Sequence, residues 1–288
     1  MFKRFMQAVP LAVVALFFST AAFANGQVEN AMQLWLGDLR TEYNKTVDLL
    51  GQGKVNDAKE PAAKLQDLTY QMATATYNIQ QNANTLAPEL GAAWTDTQAQ
   101  MNELNKAASF LKSQIGVQKP VTDPLKAALA SADTALNKSW EFTKTFGKKY
   151  GELVGGPIEN AKQLFDGAVS DRYETTIEYL EAYNTDRGKV EIDGLKELIA
   201  RLYELTETAG SNSGALAKRL AELWAPAAQA TKDFQAEVGV IQSEVGNQDF
   251  DLGNMKSLYA DLNADMVRSY KDIMTFGEQF RAICDDWS

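Results

Sequence analysis

The sequence predicts an all-α protein made of two tandem antiparallel up-down-up-down four-helix bundles, produced by internal duplication. Three observations carry this. Apolar residues recur at steps of three and four along every long segment, and strand alternation is absent. An offset of 130 positions aligns the chain with itself, with roughly one position in five identical over about 125 pairs. Glycine and proline clusters cut each copy into four helical segments.

The first segment carries Val28, Met32, Trp35, Leu39, Tyr43, Val47 and Leu50 on one stripe and ends at residues 51–53. Its counterpart 130 positions on places Glu159, Asn160, Ala161, Gln163 and Leu164 against Glu29, Asn30, Ala31, Gln33 and Leu34. The next segment pairs Leu65 and Leu68 with Leu195 and Leu198 and stops before Pro88. The third runs through Leu90, Trp94, Met101, Leu104, Ala108, Leu111 and Ile115, matched by Leu220, Trp224, Ala227, Phe234, Val238, Ile241 and Val245. Residues 116–124 form the following break. The fourth closes on Thr145-Phe146-Gly147, which faces Thr275-Phe276-Gly277 in the last helix. In the second copy the breaks are expected at residues 184–188, 210–214 and 246–253. Helices of about 20 to 30 residues span roughly 30 to 45 Å, and short connections force neighbours to run antiparallel.

The domain division is residues 1–24 as a signal peptide, 25–154 as the first bundle and 155–288 as the second. The leader reading rests on Lys3 and Arg4, an apolar run from Ala8 to Phe18, and Ala22-Phe23-Ala24 as the cleavage site. A periplasmic or secreted protein is the expectation, with no membrane insertion, because no later run reaches about 18 apolar residues. Repeats of this size each close their own core, so two bundles side by side with a modest interface are expected. The junction at residues 151–157 either bends as a hinge or brings the fourth and fifth helices close.

Loss of residues 1–24 takes the formal charge from −10 to −12, which disfavours polyanionic partners such as nucleic acid. Cys284 is the single cysteine, so no disulfide forms within the chain; a Cys284-linked dimer is the lesser alternative to a thiol packed as a small apolar group. Oligomeric state is not legible.

There is no histidine. That removes Ser-His-Asp and Cys-His catalysis, His-ligated metals and the Glu-x-x-His pairs of di-iron bundles. Phosphate-loop, dinucleotide and nucleophile-elbow patterns are also missing. The acidic residues Asp261 to Asp265 and Asp285-Asp286 read as solvated helix faces, so no metal and no enzyme activity are expected.

Val28-Glu29-Asn30-Ala31-Met32 at the mature N-terminus, together with Thr145-Phe146-Gly147-Lys148-Lys149-Tyr150 and Thr275-Phe276-Gly277-Glu278-Gln279-Phe280, resembles the cytochrome b562 and cytochrome c-prime four-helix-bundle family. The resemblance implies a haem held by a Met near the start, at Met32, and a His in the last helix. Both copies carry Gly where that His belongs, Gly147 and Gly277, and the second copy has Lys162 at the Met position. A degenerate relative without haem ligands, and with no cofactor, is therefore expected; haem b is the lesser alternative.

A glycine within a helix costs about 1 kcal/mol relative to alanine, so two at equivalent places need a reason. Either a bulky neighbour among Trp35, Trp94, Phe165 and Trp224 fills the space beside Gly147 and Gly277, or a pocket stands open for a flat apolar ligand. Met32, Trp35, Trp94, Phe146, Gly147, Phe165, Trp224, Phe276 and Gly277 are accordingly the pocket residues to inspect, with the filled core favoured. The functional expectation is an exported, non-catalytic protein that binds a protein partner as a scaffold, adaptor or sensor, with Trp140 and Trp287 as exposed-patch candidates. The alternative is a carrier of haem or another flat apolar molecule.

Overall fold

The computed structural model describes residues 26–116, 119–247 and 250–284. The expected leader with its proposed cleavage site at Ala24, together with Asp285-Asp286 and Trp287, lies outside the described residues. Among those described, every regular element is helical. Helix α1 runs Gln27–Leu34, passes through one π-helical turn at Trp35–Leu39 and continues as Arg40–Gly51. Helix α2 is Lys59–Leu86, α3 is Pro88–Ala93 continued by Thr95–Gln114, and α4 is Asp123–Leu153. Helix α5 is Glu159–Leu164, a π-helical turn at Phe165–Val169 matching the one in α1, then Ser170–Glu181. Helices α6, α7 and α8 are Thr185–Leu216, Lys218–Glu244 and Leu252–Ile283.

The 130-residue repeat extends to local detail that identity scores miss. Both π-turns fall at the same register, around Gly37 and Gly167. The ends of α1 and α5 close alike, with Lys54 N–H to the Leu49 carbonyl and Asn184 N–H to the Tyr179 carbonyl, both at 2.9 Å. That closure needs a left-handed residue, which is Gly53 in one copy (φ 73°) and Tyr183 in the other (φ 53°). Asn184 and Asp251 cap α6 and α8 with their side chains.

One break differs from expectation. Helix α6 passes straight through residues 210–214 and turns only at Ala217. Single extended residues, Ala87 and Ala217, make both corners, so the chain reverses with no room for a loop. Such a corner presses the helices together. A Cβ on Gly91 would lie 2.5 Å from the Asn84 Cβ, whereas the second copy puts its glycine on the other side, as Gly214 against Ala221. The glycine cluster at residues 210–214 thus sits inside a helix without breaking it. At residues 151–157 there is no loop either; Gly156 alone leaves the helical region (φ −99°, ψ −116°) and turns α4 into α5.

Within the first copy α1 packs on α2, α2 on α3 and α3 on α4, and the second copy repeats this with α5 to α8. Side chains join first to last helix in each. Trp35 and Arg40 of α1 bond Asp133 of α4; Ser170 of α5 meets Tyr259 of α8, and Tyr270 of α8 donates to Glu159 of α5. One continuous set of buried apolar side chains runs from Val28 to Cys284 through both copies.

Between copies, α2 packs on α8, and α6 packs on α4. Since α6 is α2 shifted by 130 and α8 is α4 shifted likewise, these are one contact made twice. That is the signature of an isologous, two-fold interface.

Candidate functional site

The two Thr-Phe-Gly segments do not sit in separate cores. They face one another where α4 meets α8. Phe146 and Phe276, equivalent residues, stack with ring centroids 6.5 Å apart. Phe146 to Phe280 and Tyr150 to Phe276, the two cross pairs exchanged by the repeat, both measure 5.4 Å. Gly277 lies directly under the Tyr150 ring: a Cβ there would be 2.7 Å from Oη and 2.9 Å from Cε1. The Tyr150 hydroxyl donates to the Ile273 carbonyl, one turn before Gly277. Burial holds the Tyr150 phenol well above its ordinary pKa, so it stays a neutral donor.

The filler beside Gly277 is therefore Tyr150, from the opposite copy and from outside the four aromatics nominated by sequence. Those four go elsewhere. Trp35 is buried, its indole N–H 3.0 Å from an Asp133 carboxylate oxygen and its ring 5.0 Å below the Arg40 guanidinium. Trp94 donates to Thr143 Oγ1 at 3.0 Å, and Trp224 to the Thr206 carbonyl at 3.1 Å. Phe165 packs 5.8 Å from the Tyr259 ring. Met32 is only partly buried, against the core edge, and Gly147 is buried. Phe146, Phe276 and Gly277 are thus brought together, and the tryptophans are not. The residues missed, Tyr150 and Phe280, carried a signal: both are aromatic, four places after the paired phenylalanines.

This arrangement does not fit a haem. No imidazole exists, the face of Gly277 is covered, and Met32 lies at the periphery. Among the described residues no group of three or more Cys, Asp or Glu could hold a metal. Cys284 is buried, as a small apolar group at the end of α8. Trp140 is not an exposed patch; it packs partly buried against the core, with Lys144 5.8 Å over its ring. No described helix is long and apolar enough to cross a membrane.

One surface groove stands apart from the core. It lies between the start of α1 and the middle of α2, has a volume of about 460 Å³, and is lined by Gln27, Asn30, Leu34, Tyr70, Gln71, Thr74 and Asn78 with two alanines. Asn82 fixes Gln27 by donating to its side-chain carbonyl at 2.9 Å.

Comparison with protein-family models, curated proteins and solved structures finds no match to this chain. The geometry alone must carry the functional reading.

Proposed function

We propose that this is an exported, non-catalytic protein of two duplicated four-helix bundles, which acts by binding at its outer helix faces as a scaffold, adaptor or sensor. On this reading any descent from a haem-binding bundle ended in loss of the haem site. The observation that supports it is Tyr150 seated on Gly277: the space beside that glycine is taken by a side chain from the other copy. A seam packed this way disfavours a flat ligand beside Gly277, because opening it would separate stacked aromatics worth about 0.5–1.5 kcal/mol per pair beyond their buried area. The absence of histidine and the acidic balance agree with binding rather than metal or redox chemistry.

Haemin titration into the purified protein tests this. The expected result is no saturable Soret shift. Saturation at one or two haemins per chain would overturn the filled-core reading and favour a carrier.

A further inference from the structure

We infer that the groove between α1 and α2 is a binding site for a neutral saccharide; this rests on the reading that the protein binds at its outer faces. Its chemistry differs from the rest of the surface. Charged residues make up 23% of the chain, yet none occurs between Asp67 and Glu89. Most of that stretch is α2, and its outward positions are Tyr70, Gln71, Thr74, Tyr77, Asn78, Gln81 and Asn82.

The internal repeat supplies a control. The α1 side of the groove is partly kept in the second copy: Asn30, Ala31 and Leu34 recur as Asn160, Ala161 and Leu164. The rest of the polar and aromatic lining is not kept. Gln27 becomes Pro157, Tyr70 becomes Ala200, Gln71 becomes Arg201, Thr74 becomes Glu204 and Asn78 becomes Thr208. Fold therefore does not demand Gln27, Tyr70, Gln71, Thr74 and Asn78, which one copy has and the other lacks, while Asn30 is common to both.

That set selects a ligand class. A carboxamide offers a donor pair and an acceptor side by side, which matches adjacent hydroxyls on a sugar ring. Gln27, Asn30, Gln71 and Asn78 place four such groups around the groove, and Thr74 adds a hydroxyl. Tyr70, 64% exposed, offers a ring face for the C–H face of a pyranose and a polar tip at the rim. The lining carries no charge to pair a phosphate, carboxylate or ammonium. A volume of about 460 Å³ lies within the range of small-ligand sites and suits one or two sugar rings.

The test uses full-length mature protein labelled with nitrogen-15. Cellobiose, maltose and N,N′-diacetylchitobiose are each titrated to about 20 mM, enough to saturate a site of millimolar affinity. The side-chain amide signals of Gln27, Asn30, Gln71 and Asn78 are followed. At least one sugar is expected to shift these signals saturably, with affinity falling ten-fold or more in Tyr70→Ala and in Gln71→Arg, the latter installing the second-copy residue. Both sites are exposed, so the backbone spectrum should otherwise match wild type. No shift with any of the three, shifts unchanged in both variants, or shifts produced by N-acetyl-Gly-Gly-amide but not by sugars would each overturn the inference. The haemin titration does not depend on this groove, so the two readings fail separately.

Discussion

Replacing Gly277 with alanine reverses the sign expected from helix propensity. In an ordinary helix interior the change stabilises by about 1 kcal/mol. Here the new Cβ meets three atoms of one ring, Oη at 2.7 Å, Cε1 at 2.9 Å and Cζ at 3.1 Å, and that ring is 2% exposed. It cannot swing into solvent without dragging the Phe276 stack with it. Overpacking of this kind costs about 1–3 kcal/mol. Losing the bond from the Tyr150 hydroxyl to the Ile273 carbonyl inside the seam adds about 1–3 kcal/mol. The net expectation is a loss of about 1–5 kcal/mol. Urea unfolding followed by far-ultraviolet circular dichroism measures it as a lower midpoint at unchanged slope. Tyr150→Phe removes the nearest of the three atoms, so Gly277→Ala should cost less in that background, with a coupling of about 0.5–3 kcal/mol. A stabilising Gly277→Ala, or strict additivity of the two changes, would refute the claim that Tyr150 fills this space.

The corner between α2 and α3 makes a parallel case: Gly91→Ala should destabilise by about 1–3 kcal/mol because Asn84 backbone and Cβ atoms stand in the way, and Asn84→Gly should rescue it in part, since it removes the Cβ and Oδ1 contacts and leaves the Cα. Residues 25–154 produced alone uncover Phe146 and Tyr150; size-exclusion chromatography should find them associating as a dimer, since the seam is built from equivalent residues, and a folded monomer would count against it. At alkaline pH, burial raises Tyr173 to about 12 and also raises Tyr150, Tyr259 and Tyr270, while unfolded tyrosines ionise near 10. The folded state holds these protons more tightly, so their stabilisation is complete below pH 10 and is lost as pH rises towards 12 and beyond. Tyrosinate absorbance near 295 nm and loss of helicity should therefore rise together for these groups.

Much of the helical order was legible because side-chain periodicity reports directly on a buried stripe. The stripe Val28, Trp35, Leu39 is buried in α1, and Leu90, Trp94, Met101, Leu104 are buried in α3. The misplaced break at residues 210–214 shows where that logic stops. Glycine reads as a breaker by propensity, but Gly210 and Gly214 lie inside α6, whose packing outweighs about 1 kcal/mol of propensity at each. The site was less legible still. Trp35, Trp94, Phe165 and Trp224 are as buried as their stripe positions imply, yet their partners are Asp133, Thr143, Tyr259 and Thr206, which lie on other helices. The groove escaped notice because its members come from two segments about 45 residues apart, and none of them is unusual alone.

By itself the sequence determined the helical class, the recurrence of residues at an offset of 130 and the absence of histidine, since each is a property of residues counted along one chain. Only the tertiary structure decided that the paired Thr-Phe-Gly segments meet across a two-fold seam, with Tyr150 over Gly277 and the two cross pairs at equal distance. The reason is physical: periodicity says which face of a helix leaves water, but not which helix covers it. That choice depends on shape complementarity between surfaces distant in sequence, and a glycine records it only as an absence.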